Sequence, residues 1–261
     1  MKKITISVLI TNFNKAKFLS KSLNKICNQS FRDYEIILYD DASDDDSVKI
    51  IKKFKKVKLI RNKKKIKEFP AQNQIDGILK IFEKSKGKII CLMDADDFFH
   101  RSKLKKINEI FKKNKNYNSV FNFPDSKDNQ FFFKDKKDTN FVWPTIFPTS
   151  CISIRRSVFK RFIEYLKKDE FEYLEIDARL TIFLKFFYNE YNLLKSKLTI
   201  YNYDEKGITS NINFFSKKWW IRRKQAFNYM IYIFKKRDKN FKKGIDYYLT
   251  TTISFFLKVF F

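Results

Sequence analysis

The chain has 261 residues, of which 44% are hydrophobic and 18% aromatic, enough apolar material for one large domain or for two lobes with a substantial core. Its 56 Lys and Arg residues outnumber its 29 Asp and Glu residues, and a formal net charge of +27 is typical of proteins that bind nucleic acid or an anionic membrane surface. No stretch has the roughly 20 apolar residues of a transmembrane helix, and the N-terminus lacks the pattern of a secretory signal, so we expect a cytoplasmic protein.

Apolar runs alternate with helical patterns over the first hundred residues. Each apolar run ends in polar residues and is followed by apolar residues at helical spacing. Four such units predict an α/β fold with a mostly parallel sheet flanked by helices. Ligands of such sheets bind at the carboxyl ends of the strands. The predicted strands are residues 4–10, 34–39, 57–60 and 88–93, and the predicted helices are residues 16–27, 46–53, 70–84 and a segment from about 103.

Three carboxylates follow the fourth apolar run: Asp94, Asp96 and Asp97. Asp94 and Asp96 would leave the sheet at its carboxyl edge, where they can converge on one hard cation such as Mg²⁺ or Mn²⁺. The alternative is a plain turn between strand and helix, in which Asp97 or Ser102 caps a helix that begins near Lys103.

The number of glycines, the spacing of the cysteines and the position of the single histidine exclude further classes of protein and of site. The chain has four glycines and no Gly-x-Gly-x-x-Gly or Gly-Lys-Ser/Thr loop, which argues against a dinucleotide enzyme or a P-loop kinase. Cys27, Cys91 and Cys151 lack Cys-x-x-Cys spacing and lie among apolar residues, so we predict buried thiols rather than disulfides or zinc ligands. His100 follows the acidic loop, where it either lies at the surface, caps a helix or contacts a diphosphate.

Five segments in the first half resemble, in order and spacing, the motifs of the GT-A-fold glycosyltransferases of sequence family two. These include bacterial enzymes that build surface polysaccharides and glycolipids. The family usually has glycine where this chain has Ala42 and arginine where it has Gln72. The resemblance covers residues 4 to about 110 and implies a GT-A (Rossmann-like) fold. The matching segments are residues 8–14 (VLITNFN), 28–31 (NQSF), 34–43 (YEIILYDDAS), 71–73 (AQN) and 87–97 (GKIICLMDADD).

The resemblance implies a nucleoside diphosphate sugar as donor and Mn²⁺ or Mg²⁺ as cofactor. The metal would stabilise the charge that develops on the departing diphosphate. Asp96, together with Asp94, would hold the metal. Thr11 and the pair Asp40 and Asp41 would bind the ribose and the base. The residues assigned to the donor are Thr11, Asn14, Asp40, Asp41, Asn73, Asp94, Ala95 and Asp96.

The family also has a general base near the start of a helix in its second half. Residues 171–184 (FEYLEIDARLTIFL) fit, because Asp177 opens an apolar helical run and aligns with the family's aspartate. Glu175 is the competing candidate. The alternative for Asp177 is an acid that the helix dipole favours in the first helical turn. Attack from the face opposite the diphosphate would invert the anomeric configuration, as the family does.

We expect three parts: a nucleotide-sugar lobe at 1–110, a smaller acceptor lobe at 111–215 and a basic aromatic helical tail at 216–261. The tail holds 12 Lys or Arg and two Asp residues, a net charge of +10, with 13 aromatic residues. Its apolar stripe either lies on an anionic bilayer at the inner face of the cytoplasmic membrane or packs on the catalytic lobe. The stripe is Trp220, Phe227, Ile231 and Phe234, and the strands expected in the acceptor lobe are residues 118–123, 129–134 and 149–156.

Two functions follow from this pattern. The first is an inverting transferase that moves a sugar to a hydroxyl of a surface glycan or a lipid-linked oligosaccharide. The second is a basic nucleic-acid-binding protein without catalytic activity, for which charge and interleaved aromatic residues are the whole case. Acidic clusters at two strand ends favour the first, since they would repel phosphates unless a cation lies between them.

Overall fold

The computed structural model describes residues 4–64, 68–126, 144–190, 192–205, 207, 208, 210 and 212–259. The strands of these residues form one sheet, and helices cover both of its faces. The strands are β1 (Ile6–Asn12), β2 (Tyr34–Asp40), β3 (Val57–Arg61), β4 (Ile89–Asp94), β5 (Phe98–Phe99), β6 (Ser119–Asp125), β7 (Ile152–Arg155) and β8 (Leu193–Ile200). The helices are α1 (Ala16–Cys27), α2 (Ser47–Ile51), α3 (Pro70–Lys84), α4 (Lys103–Lys113), α5 (Arg156–Glu164), α6 (Ile176–Phe183), α7 (Lys217–Lys235) and α8 (Ile245–Val259). The strand expected at 129–134 lies outside the described residues.

The first four strands form the parallel part of the sheet, in the order β3, β2, β1, β4. Strands that are covered on both faces need apolar side chains at successive positions. In β1, Val8 and Ile10 enter a core with α1, α2 and α4, whereas Leu9 enters a core with α3, α5, α6 and α7. The mostly parallel sheet flanked by helices confirms the predicted α/β fold.

The remaining strands extend the same sheet with mixed directions. β7 pairs antiparallel with β4 and β6, while β8 pairs parallel with β6 and antiparallel with β5. The strand expected at 149–156 is shorter than predicted, because residues 149–151 form a 3₁₀ turn before β7. β8 has no counterpart among the predicted strands, because Lys195 and Lys197 interrupt its apolar pattern.

The tail is helical, as predicted, and its first helix packs against the rest of the protein. Phe227, Tyr229, Met230 and Ile233 of α7 belong to the core that also holds α3 and α6, and Trp220 is buried. Of the predicted stripe, Phe227 lies in this core and the half-buried Phe234 packs on Phe186 with ring centroids 5.2 Å apart, while Ile231 is half-buried. The stripe therefore packs largely on the protein, which is the second of its two interpretations. Among the described residues, no helix is both long enough and apolar enough to cross a membrane.

The three cysteines are free thiols. Cys91 in β4 and Cys151 before β7 are fully buried, and Cys27 at the end of α1 is partly buried. Burial raises the pKa of the Cys91 thiol and raises that of Cys151 to about 12, so both stay protonated and unreactive. The prediction of buried thiols is confirmed for these two residues.

The turn before β4 approaches β1 so closely that only glycine fits at residue 87. A Cβ atom there would lie 2.3 Å from the backbone nitrogen of Ser7 and 2.6 Å from the carbonyl carbon of Ile6. Gly87 N also donates a hydrogen bond to Ser7 Oγ at 2.7 Å. These neighbours are backbone atoms, which cannot rotate away as a side chain can. The close approach therefore sets where β4 begins beside β1.

We expect Gly87→Ala to lower the free energy of unfolding by about 1–3 kcal/mol, the usual cost of overpacking a well-packed site. Urea unfolding measures the loss. Gly244→Ala is the matched control, because a Cβ at Gly244 meets no atom within 4 Å. The loss in this control should be smaller, at most about 0.5–1 kcal/mol, because Gly244 directly precedes α8 and alanine caps a helix less well than glycine. Equal midpoints for the two variants would contradict the close approach.

Candidate active site

The carboxyl ends of β1, β2 and β4 open into a cleft with a volume of about 840 Å³. Loops from the second half of the chain and the start of α7 form its opposite wall. Asn14, Asp40 and His100 do not line the cleft, and His100 Nε2 lies 3.6 Å from Asp125 Oδ2. The predicted site residues that line the cleft are Thr11, Asp41, Asn73, Asp94, Ala95, Asp96, Glu175 and Asp177.

Asp40 and Asn14 take part in hydrogen bonds beside the cleft. Asp40 is fully buried, and its Oδ1 accepts hydrogen bonds from Asn12 Nδ2 at 2.7 Å and from Ser43 Oγ at 2.6 Å. Asn14 N donates to the same Ser43 hydroxyl at 3.0 Å, and Asn14 Oδ1 accepts from Asp44 N at 3.0 Å. These bonds join the loops after β1 and β2. Both residues therefore support the loops around the cleft in this structure, and their direct contact with the donor stays a prediction.

Asp41 faces the cleft at the end of β2. Its Oδ1 accepts a hydrogen bond from Asn62 Nδ2 at 3.2 Å, and its backbone nitrogen donates to Asn12 O at 2.9 Å. The next residue, Ala42, has a φ of 55°, in the left-handed region that glycine adopts without steric cost. This conformation accounts for the glycine that the resembling family usually has there.

Asp94 ends β4 at the base of the cleft. Its Oδ1 accepts hydrogen bonds from Gln74 Nε2 at 2.9 Å and from Thr11 Oγ1 at 3.3 Å. Burial, and then the neighbouring Asp96, raise the pKa of Asp94 to about 6. Two acids this close favour a cation between or beside them, because an opposite charge stabilises both ionised forms.

Residues behind Asp96 hold its loop in place. Asn202, which follows β8, donates its side-chain amide to Asp96 O at 2.7 Å and its backbone N–H to Asp97 Oδ1 at 3.0 Å. Asp97 is buried, and burial raises the pKa of its carboxyl well above the ordinary value. Lys103 of α4, also fully buried, donates to Ser150 O at 2.5 Å, and Ser150 Oγ accepts a hydrogen bond from Asp94 N at 2.8 Å. The acidic loop is thus anchored from both β8 and α4.

A positive charge already lies where two carboxylates meet in the cleft. Lys15 Nζ lies 2.7 Å from Asp96 Oδ2 and also contacts Asp204 Oδ2. Carboxylate oxygens that converge on one cation are the donors that Mg²⁺ and Mn²⁺ prefer, so these residues fit a divalent metal. In the part of the chain that the structure describes, no three His, Cys, Asp or Glu side chains form a metal cluster.

Asp177 and Glu175 lie together at the start of α6. Arg222 of α7 donates from both Nε and Nη2 to Glu175 Oε2, each at 2.7 Å. Asp177 Oδ1 accepts a hydrogen bond from the adjacent Ala178 N at 2.7 Å. Burial, and then Glu175, raise the pKa of Asp177 to about 7. Arg222 thus neutralises Glu175, whereas Asp177 is poised to take up a proton near neutral pH.

Aromatic and aliphatic side chains form the outer wall of the cleft. Phe69 and Tyr173 pack edge to face with ring centroids 5.2 Å apart, and Ile146, Phe147 and Phe214 continue the wall. Aromatic faces of this kind suit the apolar faces of sugar rings or the start of a lipid chain.

Four residues of the site have no assignment from the sequence: Lys15, Asn202, Asp204 and Arg222. Lys15 and Asp204 are 189 positions apart, and Glu175 and Arg222 are 47 apart. A polar segment directly after a strand is the one local pattern that could have pointed to Asn202 and Asp204. This pattern is not visible at residues 201–204, because the sequence of β8 does not look like a strand.

The comparisons with known proteins agree with this geometry. The Glycosyl transferase family 2 model matches residues 7–162. A GalNAc(5)-diNAcBac-PP-undecaprenol beta-1,3-glucosyltransferase of Campylobacter jejuni is 31% identical over 96 residues, which are 35% of this chain and 29% of that protein. The poly(ribitol-phosphate) beta-N-acetylglucosaminyltransferase TarP of Staphylococcus aureus is 28% identical over 120 residues, 44% of this chain and 35% of that protein. The chain thus spans less than half the length of these relatives.

Solved structures show the same fold at low sequence identity. S. aureus TarS in complex with UDP-GlcNAc superposes with a TM-score of 0.64 at 12% identity, over 96% of this chain and 70% of that one. The mannosyltransferase PcManGT of Pyrobaculum calidifontis, in complex with GDP-Man and Mn²⁺, gives a TM-score of 0.58 at 13% identity, over 98% and 70% of the two chains. The predicted GT-A fold is confirmed. Because the family model covers more than half of the sequence, the chain belongs to glycosyl transferase family 2.

Proposed function

We propose that this protein transfers a sugar from a nucleoside diphosphate sugar to a hydroxyl group of a surface glycan or a lipid-linked oligosaccharide, with inversion at the anomeric carbon. One observation carries the proposal: carboxylates from the end of β4 and from the start of α6 face a single cleft. Asp94 is close enough to Asp177 to contribute to its raised pKa. A leaving group bound at one carboxylate and an acceptor activated at the other would therefore meet.

Each part of the donor has a partner on the cleft wall. Asp41 and Thr11 would accept or donate hydrogen bonds to the base and the ribose, next to Asn73 and Ala95. Asp96, with Asp94 or Asp204 beside it, would hold Mn²⁺ or Mg²⁺. When bound, the metal supplies the positive charge that stabilises the leaving diphosphate. That PcManGT was solved with GDP-Man and Mn²⁺ supports this assignment.

Asp177 is our choice for the general base. As the acceptor oxygen bonds to the anomeric carbon, Asp177 accepts the hydroxyl proton, and the bond from that carbon to the diphosphate oxygen breaks with its electrons on the diphosphate. Glu175 is less suited, because two N–H groups of Arg222 already occupy its Oε2. Its role is to place Arg222 and to raise the pKa of Asp177.

Nucleic-acid binding is not favoured as the function. The concave surface of the molecule is acidic, with Asp41, Asp94, Asp96 and Asp177 on its walls, and a polyphosphate chain without a cation would be repelled there.

The C-terminal helices support contact with an anionic membrane, although not through the stripe of α7. Large apolar side chains of α8 are exposed at helical spacing, and Ile245 is 88% exposed. α8 lies beside an aromatic cluster at the start of α7, because Ser254 Oγ donates a hydrogen bond to Trp220 O. Exposed lysines flank this surface, and the whole tail carries the net +10 that suits anionic lipid. The exposed residues of α8 are Ile245, Tyr248, Leu249, Phe255 and Phe256, and the cluster beside it is Phe214, Phe215, Trp219 and Trp220.

Asp96→Ala should abolish metal-stimulated hydrolysis of the sugar nucleotide while the fold stays intact, because Asp96 lies on a cleft loop. Loss of a metal ligand that is worth several kcal/mol corresponds to at least roughly a 100-fold fall in turnover. Asp44→Ala, which removes an exposed carboxylate outside the cleft, should leave the rate unchanged. Near-normal metal-stimulated turnover in Asp96→Ala would remove Asp96 from the metal site.

Asp177→Asn should keep nucleotide affinity and lose about 10²- to 10⁴-fold in transfer, because an amide cannot accept the acceptor's proton. Wild-type kcat/KM should rise with pH through about 7, since the raised pKa of Asp177 keeps this base protonated below that pH. This rise of kcat/KM with pH should be absent in Asp177→Asn. Glu175→Gln should lose less. If Glu175→Gln is inactive and Asp177→Asn is active, the base is Glu175.

Lys242→Gln combined with Lys243→Gln should weaken binding to anionic liposomes, since each basic side chain near such a surface contributes about 1 kcal/mol. Lys112→Gln with Lys113→Gln is the matched control: it removes the same charge from exposed positions at the end of α4 and should leave binding unchanged. Co-sedimentation at low and high salt measures both, and a blue shift of tryptophan fluorescence reports insertion. A wild type that ignores anionic liposomes at low salt would remove the membrane surface from the proposal, and concentration-dependent dimerisation would then point to a second copy on α8.

A further inference from the structure

Lys15 joins three separate segments of the cleft. It precedes the first residue of α1, whereas Asp96 lies in the loop after β4 and Asp204 in the loop after β8. Its Nζ contacts a carboxylate oxygen of each aspartate. All three side chains are less than one-fifth exposed, although the chain carries most of its lysines on the surface.

The ammonium group lies where a metal ligated by Asp96 would lie. Two cations cannot share that position, because like charges a few ångströms apart in a partly dry cleft repel strongly. A divalent metal would therefore have to displace Lys15 from Asp96. Two carboxylates are also too few ligands for Mg²⁺ or Mn²⁺, which take about six oxygens and usually rely on substrate phosphates for part of them.

We propose that Lys15 is a resident counter-ion that keeps Asp96 and Asp204 together and competes with the metal until the donor's diphosphate arrives. The inference rests on the proposed function. The diphosphate contributes ligands to the metal and offers negative charge to the released ammonium, so metal and nucleotide bind cooperatively. By linkage, each raises the affinity of the other by the same factor. Lys15 thus makes productive metal binding conditional on the donor, and Asp204 is a second carboxylate of the cation site.

Binding of Mn²⁺ without any turnover tests the proposal. Free Mn²⁺ is measured by electron paramagnetic resonance for wild type, Lys15→Met and Lys15→Arg, each with and without UDP and GDP as probes. Lys17→Met is the matched control, because Lys17 is an exposed lysine in the first turn of α1, two positions after Lys15, and does not line the cleft. Far-UV circular dichroism and thermal unfolding establish that each variant folds.

Lys15→Met should bind Mn²⁺ without nucleotide about tenfold more tightly than wild type, or better. Lys15→Arg retains the charge and, like Lys17→Met, should stay within about twofold of wild type. A nucleoside diphosphate should tighten Mn²⁺ binding more in the wild type than in Lys15→Met. Adding Asp204→Asn to Lys15→Met should remove the gain.

The possible failures are distinguishable. If wild type binds Mn²⁺ with nucleotide but Lys15→Met gains no affinity for Mn²⁺ alone, Lys15 is a structural ion-pair partner and this inference is overturned. If neither protein binds Mn²⁺ even with nucleotide, the metal site of the proposed function fails and the role of Lys15 falls with it. If Asp204→Asn leaves the gain intact, Asp204 does not ligate the cation and that part of the inference is overturned.

Discussion

The register of β1 between β2 and β4 is the constraint on which the site depends. Asn12 lies opposite Asp40 and Thr11 lies opposite Asp94, so two polar strand ends meet at one edge of the sheet. Side chains alternate between the two faces of a strand, and a slip of one residue would exchange the two buried faces of β1. The close approach of Gly87 to β1 holds β4 in this register from the opposite edge.

The chemistry of the cleft follows from crowding acids at that edge. The chain is strongly basic, yet the cleft gathers carboxylates whose burial raises the pKa of Asp94 and of Asp177. Basic side chains neutralise part of this negative charge within the cleft: Lys15 pairs with Asp96, and Arg222 pairs with Glu175. An anionic donor without a cation would meet repulsion, whereas a donor that arrives with a divalent metal would not. The crowding of carboxylates in the cleft thus favours both a bound divalent metal and a base with a raised pKa.

The C-terminal helices are part of the folded protein rather than an appendage. α7 inserts Phe227 and Met230 into a central core and sends Arg222 into the cleft. This double role limits which basic residues of the tail can face a membrane, since Arg222 is engaged with Glu175 and Arg223 with Asp246. The exposed apolar side chains of the tail lie instead on α8, which packs on α7.

What the sequence alone determined is local in character. The apolar runs and their carboxylate ends follow from short-range periodicity, so the α/β fold and the acidic loop after β4 could be predicted. Asp177 was singled out by the resemblance to the family, since periodicity shows only that it opens an apolar helical run. Periodicity shows that a face is apolar but not what covers it, and only the tertiary structure decided that the stripe of α7 packs on the core. Ion pairs between segments 47 or 189 positions apart leave no local pattern. The partners of Glu175 and Asp204 therefore emerged only in the folded protein, where distant segments meet at one edge of the sheet.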